Sequence, residues 1–247
     1  KQIPVFIIGG GSNILVNDQG FAGLVIRLAN QDIRAKGVRL ECGAGTKLAE
    51  AVSLSVREGL VGLEWAAGIP GSVAGAVRGN AGAFGSNISE LVENVDIYDR
   101  QKDKFELFSS RDCAFGYRQS VFHSDKDKII WSVIFKLEHG DRDEIQKRVG
   151  ECLESRRQGQ PNFPSAGCVF KNIRIDALKN DNPELAEEAE ERGVVKNGML
   201  GAGWLIEKAE LKGKKIGGAK VSLEHGNFIV NTGNARAEDI VMLISFI

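Results

Sequence analysis

The sequence is poor in the residue types that build metal sites and disulfide frameworks. Its 247 residues include only 4 cysteines and 3 histidines. No two cysteines form a C-x-x-C pair and no histidine is spaced with a cysteine, so no metal site is predicted. A chain of this length can bury a core without disulfides. We therefore interpret all four cysteines as free thiols in a reducing cytoplasm.

Long apolar runs and an excess of charge of one sign are also missing. The 32 Lys and Arg residues nearly balance the 33 Asp and Glu residues, for a net charge of −1. This balance favours neither nucleic acid nor an anionic membrane as a partner. No apolar run approaches the ~20 residues of a spanning helix, and no cleavable signal pattern opens the chain. We expect a cytoplasmic monomer that binds neither nucleic acid nor membrane.

The two ends of the sequence lack the usual signals of a chain terminus. No initiator Met is present, and the last residues, AEDIVMLISFI, stop inside an apolar helical pattern. No Gly, Asn or basic last turn closes that pattern. We therefore expect further chain at both ends.

Hydrophobic patterning predicts a mixture of strands and helices. Residues 5–8 indicate a buried strand, and residues 14–28 two short strands around a turn at Asp18–Gly20. Thr46 is the expected N-cap of a helix that Gly59 ends. The remaining predicted elements are a strand entering a glycine turn within 38–46, strands at 92–99, 105–110 and 129–140, an amphipathic helix at 141–158, a surface helix at 181–193, and a helix, a glycine turn and strands at 201–231.

The first glycine loop, GGGSN at 9–13, does not fit the dinucleotide fingerprint G-x-G-x-x-G. Ile14 stands where the third glycine belongs, and β-favouring residues follow where a helix should begin. The loop is therefore expected to join strand to strand. Its glycine N–H groups, with Ser12 and Asn13, can form an anion-binding nest. A tight hairpin whose glycines serve only a positive φ explains the pattern equally well.

The second glycine segment, AAGIPGSVAGAVRGNAGAFG at 66–85, is long and rich in small residues. We expect it to contribute few side chains to a core. Glycines let a backbone approach a large flat ligand closely, Pro70 constrains the turn, and Ser72 and Asn80 supply polar groups. A coreless loop of this length is uncommon unless it is functional. An ordinary loop or a packed glycine-rich helix is the alternative.

Five motifs, in order, resemble the UDP-N-acetylenolpyruvoylglucosamine reductases, flavoenzymes of bacterial peptidoglycan synthesis. They are GGGSNILV with GFAGLVI, LEWAAGIPGSVAGAVRGNAGAFG, FGYRQSVF, PSAGCVFKN, and AGWLIEKAELKGKKIGGAKVSLEHGNFIVN. The resemblance implies an α+β fold. It implies an FAD-binding domain of the vanillyl-alcohol oxidase type at residues 1–140, of which the second half is present. A smaller α/β substrate-binding domain at residues 141–247 follows.

The resemblance also implies the reaction and its cofactors. NADPH reduces FAD, and hydride then passes to the enolpyruvyl group of a UDP-sugar, giving UDP-N-acetylmuramate. The family's first half-domain and its catalytic Glu near the C-terminus have no counterpart here. Residues 173–200 are longer than the family pattern, and the absence of a tyrosine-bearing insertion favours the shorter subtype. A non-catalytic ligand-binding fragment and a related FAD-dependent oxidase are the alternative functions.

The resemblance assigns site residues one by one. Arg118 matches the family's catalytic arginine, and Cys168 stands where a serine proton donor is usual. Tyr117, Lys171 and Asn172 are assigned to the substrate. The residues assigned to FAD are Gly9, Gly10, Gly11, Ser12, Asn13, Gly68, Ile69, Pro70, Gly71, Ser72, Gly75, Asn80, Ala81 and Gly82.

The residue types suit the chemistry of reducing a double bond conjugated to a carboxylate. Such a reduction needs stabilisation of developing negative charge and an acid for the α-carbon. A guanidinium such as that of Arg118 stays charged and forks onto a carboxylate. A thiol, with a reference pKa of about 8.5, is mostly protonated near neutrality and can act as the acid. The alternatives are that Cys168 is a small buried residue at a turn, that Lys171 is merely solvated, and that Tyr117 only packs.

Three polar residues of the last motif are given structural interpretations. His225 is interpreted as a hydrogen-bonding residue, and Asn227 and Asn231 as caps at strand ends. Residues 169–172, which follow Cys168, are predicted to start a strand.

Overall fold

The computed structural model of the chain describes residues 3–247, and by internal contacts it divides into two compact units. The first comprises Lys1–Gly11 and Ala22–Arg156, and the second comprises Ser12–Phe21 and Arg157–Ile247. The elements of the first unit are β1 Val5–Ile8, β2 Leu24–Arg27, β3 Ile33–Lys36, β4 Arg39–Gly43, α1 Leu48–Arg57, β5 Leu60–Val61, α2 Val73–Arg78, β6 Gly82–Ala83, β7 Ser86–Asn87, β8 Val92–Asp99, β9 Lys104–Ser109, α3 Val121–Ser124, β10 Lys128–Lys136, β11 Glu138–His139 and most of α4 Arg142–Gly159. Two short 3₁₀ helices lie at Glu64–Ala66 and Ile88–Glu90.

The second unit alternates short strands and helices. Its elements are β12 Ser165–Cys168, β13 Ile173–Arg174, α5 Ile175–Asp181, α6 Pro183–Glu191, β14 Val195–Lys196, β15 Met199–Leu200, α7 Ala202–Lys208, β16 Lys215–Ile216, β17 Ala219–Val221, β18 Phe228–Asn231 and α8 Ala237–Phe246. The amphipathic helix, the surface helix and the last strands predicted from the sequence are confirmed. Asn182 accepts a hydrogen bond from the N–H of Leu185 and so caps α6, with Pro183 in its first turn.

A five-stranded antiparallel sheet, in the order β3-β4-β10-β8-β9, organises the first unit. Alternate residues of its central strands turn one face into the core, since successive side chains on a strand point to opposite faces. Helices α1 and α2 pack on the sheet. The side chains that fill this interface include Leu40, Cys42, Val95, Ile97, Val133 and Phe135, all buried.

The N-terminal strands differ from the prediction in three respects. Strand β1 pairs with β2 in parallel, with Val5 opposite Leu24, and parallel strands cannot be joined by a hairpin. Residues 14–16 form no strand, and they belong to the second unit, whereas β1 and β2 belong to the first. Strand β1 is not fully buried either, and Phe6 is 42% exposed. The predicted turn is present, since Gly20 N–H donates to Asn17 O at 2.8 Å.

Two predictions about the segment around α1 and α2 are wrong. Thr46 does not cap α1; the N-cap is Lys47 without a side-chain bond, and Thr46 Oγ1 instead donates to Asp32 O at 3.4 Å. The N–H of Leu48 is satisfied by the carbonyl of Gly71, which removes the need for a side-chain cap. The second glycine segment does contribute to a core, through the buried Ala66, Val73 and Val77 and their neighbours. Its small residues let α2 lie close to the sheet.

The second unit has a four-stranded antiparallel sheet in the order β12-β18-β17-β16. Helix α8 packs against β16 and β17, and Val221, Ile229 and Leu243 lie in the resulting core. A separate small core forms where α5 and α6 meet the sheet β13-β15-β14, with Leu178 and Leu200 buried.

Residues 165–172 reverse the predicted order of strand and coil. Ser165–Cys168 is the strand β12, and no strand begins at Val169. Gly167 has a φ of +84°, and the register shifts between Ser165 and Cys168, so a bulge interrupts the pairing before it resumes at Cys168 opposite Phe228. The residues after Cys168 are held by a side chain instead, as described below.

The α+β class expected from the sequence is confirmed by this mixture of antiparallel sheets and helices. The domain boundary expected between residues 140 and 141 stays a prediction.

Candidate active site

The two glycine loops meet backbone to backbone in the first unit. A Cβ on Gly9 would overlap Ser72 Oγ, and a Cβ on Gly10 would lie 2.8 Å from Gly71 Cα. Both distances are too short for any side chain, so these positions require glycine. The result is a narrow surface formed by the main chain of both loops. Of the first loop, Ser12 and Asn13 belong to the second unit.

The second glycine segment is anchored at both sides of the GIPGS turn. Ser72 is buried, and its Oγ accepts a hydrogen bond from Gly75 N at 3.3 Å at the start of α2. Gly68 and Gly71 have φ values of +79° and +121°, which side chains rarely adopt. Pro70 and Gly75 are exposed, whereas Ile69 and Ala81 pack partly against the core.

Arg156 of α4 clamps the chain just before Gly68. Its Nε donates to the carbonyl of Ala67 at 2.8 Å, and Nη2 donates to that of Trp65 at 3.2 Å. The guanidinium also lies 5.1 Å from the ring centre of Phe84, within the range of a cation–π contact. Phe84 is exposed at a φ of +53°. Nothing in the sequence pattern singled out either residue.

Asn80 joins three neighbouring loops of the first unit. Its Nδ2 donates to Gly116 O at 2.9 Å, and its Oδ1 accepts from Ser89 N at 3.0 Å. The side chain is 5% exposed, and its φ of +40° lies in the left-handed region that Asn tolerates. Its amide is therefore bound to protein, and a role in holding cofactor stays a prediction.

Arg118 completes this network from the opposite side. Its Nη1 donates to Asn80 O at 3.1 Å, and its Nη2 donates to Gly82 O. It has a φ of +53° in the tight turn where Gly116 and Gln119 pair. A strained backbone of this kind persists only where surrounding contacts impose it. The structure therefore brings the predicted catalytic arginine onto the predicted cofactor segment.

An open cleft of about 310 Å³ lies beside Arg118. Tyr117 is exposed at its edge, with its ring centre 5.4 Å from the guanidinium carbon of Arg118. The lining residues are Asn80, Asn87, Ser89, Phe115, Gly116, Tyr117 and Arg118. Amides, a hydroxyl and one cation suit a polar, negatively charged group. The sequence pattern did not indicate Asn87 or Ser89, which reach the cleft only through the β6–β7 hairpin and the turn after it.

Cys168 ends strand β12 in the second unit and is exposed. The alternative of a small buried residue is therefore wrong. The other thiols differ from it. Burial raises the pKa of Cys42 and of Cys113 to about 12, and burial also raises that of half-buried Cys152. Among the four cysteines, Cys168 is exposed, whereas Cys42 and Cys113 are buried.

The segment after Cys168 is fixed by side-chain amides. Asn227 binds both the N–H and the C=O of Phe170. Asn172 Oδ1 accepts from Ala202 N at 3.3 Å, at the start of α7. Lys171 and Asn172 are both exposed, so the predicted substrate residues of this unit face outward on one short stretch.

His225 lies on the turn before β18 and is half-buried. Its Nδ1 accepts from Asn227 N at 3.2 Å, and its ring packs against Phe228 at 4.9 Å between centres. Burial lowers the pKa of His225 from its usual value. The predicted hydrogen-bonding role is confirmed.

Within residues 3–247, no group of three His, Cys, Asp or Glu side chains is placed to hold a metal ion. In the same residues, none of the helices combines the length and the apolar composition needed to cross a membrane.

Comparison with known proteins places the chain in a family. Residues 1–101 match a family model described as an FAD binding domain, and residues 160–247 match the C-terminal domain of UDP-N-acetylenolpyruvoylglucosamine reductase. The reductase of Solibacter usitatus is 36% identical over 242 residues, which cover 98% of this chain and 76% of the relative. That of Halalkalibacterium halodurans is 40% identical over 241 residues, covering 96% and 71%. The chain belongs to the UDP-N-acetylenolpyruvoylglucosamine reductase family.

A solved structure supports the same assignment. The crystal structure of UDP-N-acetylenolpyruvylglucosamine reductase from Thermus caldophilus matches with a TM-score of 0.81 and 38% identity, covering all of this chain and 81% of that one. The resemblance to the UDP-N-acetylenolpyruvoylglucosamine reductases and the two-domain fold expected from it are confirmed.

The residues of the first unit fit the FAD that this family uses. In the segment matched by the FAD binding domain, Gly10 approaches the main chain of Gly71 and Ser72 so closely that a Cβ would fill the space, and Gly9 lies against the Ser72 hydroxyl. Glycines at this surface leave backbone groups accessible to a flat ring or a pyrophosphate. FAD and the reductant NADPH are therefore the cofactors of this reductase family member.

Proposed function

We propose that this protein reduces UDP-N-acetylglucosamine enolpyruvate to UDP-N-acetylmuramate with NADPH and bound FAD, a step of peptidoglycan synthesis. The observation that carries the proposal is the close contact of two glycine loops beside an anchored arginine, in a chain with 36–40% identity to named reductases. The chemistry supplied by bound FAD is hydride transfer from NADPH to the β-carbon of the enolpyruvyl group.

The glycine loops hold the cofactor in this proposal. Gly9, Gly10 and Gly11, with Ser12 and Asn13, would contact the pyrophosphate. The second glycine segment would hold the flavin. The residues proposed to contact it are Gly68, Ile69, Pro70, Gly71, Ser72, Gly75, Asn80, Ala81 and Gly82. The positive φ values of Gly68 and Gly71 support this assignment, because they turn backbone groups in directions that a residue with a side chain rarely permits.

Arg118 stabilises the negative charge that develops on the enolpyruvyl carboxylate. A guanidinium has five N–H donors, and two of its hydrogen bonds hold the backbone of Asn80 and Gly82. Held in this way, the cation is oriented before the substrate arrives. A donor aimed in advance at developing charge lowers a barrier without reorganisation. Tyr117 at the cleft edge contacts the substrate.

Cys168 donates the proton that completes the reduction. Its S–H bond breaks, a C–H bond forms at the α-carbon, and the resulting thiolate is reprotonated from solvent. The exposure of Cys168 supports this role, since a buried thiol could not reach a ligand. Asn172 and Lys171, four and three residues further on, bind the substrate, and Lys171 does so through its phosphates.

The test is turnover by the purified full-length protein. The protein should be yellow, and NADPH oxidation should depend on added UDP-N-acetylglucosamine enolpyruvate, with UDP-N-acetylmuramate as the product by mass spectrometry. A colourless protein that binds no FAD would refute the proposal. Rapid oxygen consumption without the sugar nucleotide would indicate an oxidase, and flavin binding without turnover would indicate a ligand-binding module. We also propose a monomer, which light scattering checks.

A further inference from the structure

The side chain of Asn227 replaces strand pairing directly after Cys168. Its Oδ1 accepts from Phe170 N at 2.8 Å, and its Nδ2 donates to Phe170 O at 2.8 Å. Its backbone carbonyl accepts from Val169 N at 2.9 Å. One residue thus makes three hydrogen bonds to the two residues that follow the thiol.

Asn227 is itself held rigidly. It is 3% exposed and immediately precedes β18, the strand that pairs with β12. Its own N–H donates to His225 Nδ1 at 3.2 Å. An amide buried to this extent, with both its donor and its acceptor paired, is confined to one rotamer by the bonds that it would lose on moving.

The geometry of β12 explains why such a device is needed. Pairing with β18 is interrupted by a register shift before Cys168, and Gly167 adopts a φ of +84°. Pairing resumes at Cys168, opposite Phe228, but β12 ends there, so the path of residues 169–172 depends on restraints other than strand pairing. The Asn227 amide supplies such a restraint from the far side of the bulge.

We infer that Asn227 is a positioning residue that sets the place of the Cys168 thiol by binding the backbone of Phe170 and Val169. The inference rests on the proposed function, in which Cys168 delivers a proton. A displacement of about 1 Å at a reacting group can lower a rate by roughly 100-fold. Asn227 touches no reacting atom and acts only through residue 168.

The test separates the two half-reactions of the full-length holoenzyme by stopped-flow absorbance. Reduction of the flavin by NADPH needs no acid. Reoxidation of the flavin by the enolpyruvyl sugar nucleotide needs an acid to protonate the α-carbon. In Asn227→Ala, reduction should stay within about twofold of wild type and reoxidation should slow by about tenfold or more. Amide hydrogen exchange should also accelerate at Val169 and Phe170, while β16 and β17 are unchanged.

A double-mutant comparison distinguishes positioning from general destabilisation. If Asn227 acts through the thiol, Cys168→Ala combined with Asn227→Ala should be no slower in reoxidation than Cys168→Ala alone. The inference would be overturned if the double variant were slower than Cys168→Ala by the factor that Asn227→Ala alone causes. It would also be overturned if Asn227→Ala slowed both half-reactions equally, or if Asn227→Ala were reoxidised at the wild-type rate. Wild-type reoxidation in Cys168→Ala would instead refute the acid role proposed above, and the positioning role would fall with it.

Asn227→Asp provides a variant of the same shape should the alanine variant fail to fold. Its carboxylate can accept from Phe170 N but cannot donate to Phe170 O. Protonation restores the donor, so reoxidation relative to wild type should recover as the pH falls. If Asn227→Asp were reoxidised more slowly than wild type by the same factor at every pH, the proposed hydrogen bonds of Asn227 would be contradicted.

Discussion

The guanidinium of Arg118 donates to the carbonyl oxygen of Asn80 at 3.1 Å, and the amide of Asn80 donates back to Gly116 O, in the turn that carries Arg118. The cation and the glycine segment therefore restrain each other. Each lies at a positive φ that the other helps to maintain. A substitution at either Arg118 or Asn80 should therefore alter the conformation of both residues.

Arg118→Lys should lower turnover strongly. A lysine ammonium is a point charge that cannot donate in a planar fork to two carbonyls and a carboxylate. We expect a loss in kcat of about 10²–10³-fold, as for removal of a donor to developing charge. The measurement is steady-state NADPH oxidation, with flavin content checked by absorbance. Arg111→Lys, in the same loop but exposed, should be unchanged; equal activity in both variants would remove Arg118 from the mechanism.

Asn80→Ala should destabilise the first unit. It removes the hydrogen bonds that the amide makes to Gly116 O and Ser89 N, and each lost hydrogen bond destabilises by about 0.5–1.5 kcal/mol. Urea unfolding measures the change. Asn80→Gly separates the two effects of the residue, because glycine accepts the φ of +40° yet lacks the amide. A glycine variant as stable as wild type would show that only the backbone conformation matters.

Cys168→Ser should keep substantial activity, and Cys168→Ala should lose most of it. A hydroxyl can still give a proton to the α-carbon, whereas a methyl group cannot. The measurement is kcat with saturating NADPH and sugar nucleotide. Cys152→Ala serves as the control, since Cys152 is half-buried and has no proposed role. If Cys168→Ala were as active as the wild-type enzyme, the acid role of Cys168 would be refuted.

Gly9→Ala should weaken FAD binding. The added Cβ would overlap Ser72 Oγ, and separating the two loops to relieve it is expected to destabilise by about 1–3 kcal/mol. Ser72→Ala in the same chain should restore part of the loss by removing that oxygen. Gly150→Ala, inside α4 with nothing within 4 Å, should stabilise by about 1 kcal/mol. Titration with FAD measures binding, and unaltered affinity in Gly9→Ala would contradict the proposed cradle.

Acid should destabilise the fold through His225. Burial lowers its pKa in the folded state below the usual 6.5, so the unfolded chain binds the proton more readily. The contribution of His225 to stability is complete above pH 6.5 and is lost as the pH falls through the folded pKa. Protonation would also remove the acceptor at Nδ1 for Asn227 N. His225→Gln should flatten the pH dependence of urea unfolding below 6.5; an identical dependence would argue against this role.

Sequence patterns predicted helices and strands correctly where the residues that mark an element lie within or directly beside it. Pro183 and Gly193 marked α6, and alternating apolar residues marked β8 and β10. The same reasoning failed where a partner came from far along the chain. Residues 14–16 have β-favouring side chains but form no strand, and β1 pairs instead with β2, which lies further along the chain. Thr46 is a good cap, but the carbonyl of Gly71 already satisfies the helix start.

Residue identity by itself determined the family, the two glycine loops and the presence of a thiol at position 168. These depend on short motifs, and glycine and cysteine are read directly from the sequence, whereas the exposure of Cys168 is seen only in the structure. Only the tertiary structure decided what holds the site residues in place. Asn80, Arg156 and Asn227 each bind backbone groups from 36 to 91 residues away. Hydrogen bonds of that span depend on how strands and helices pack, and no local pattern encodes them.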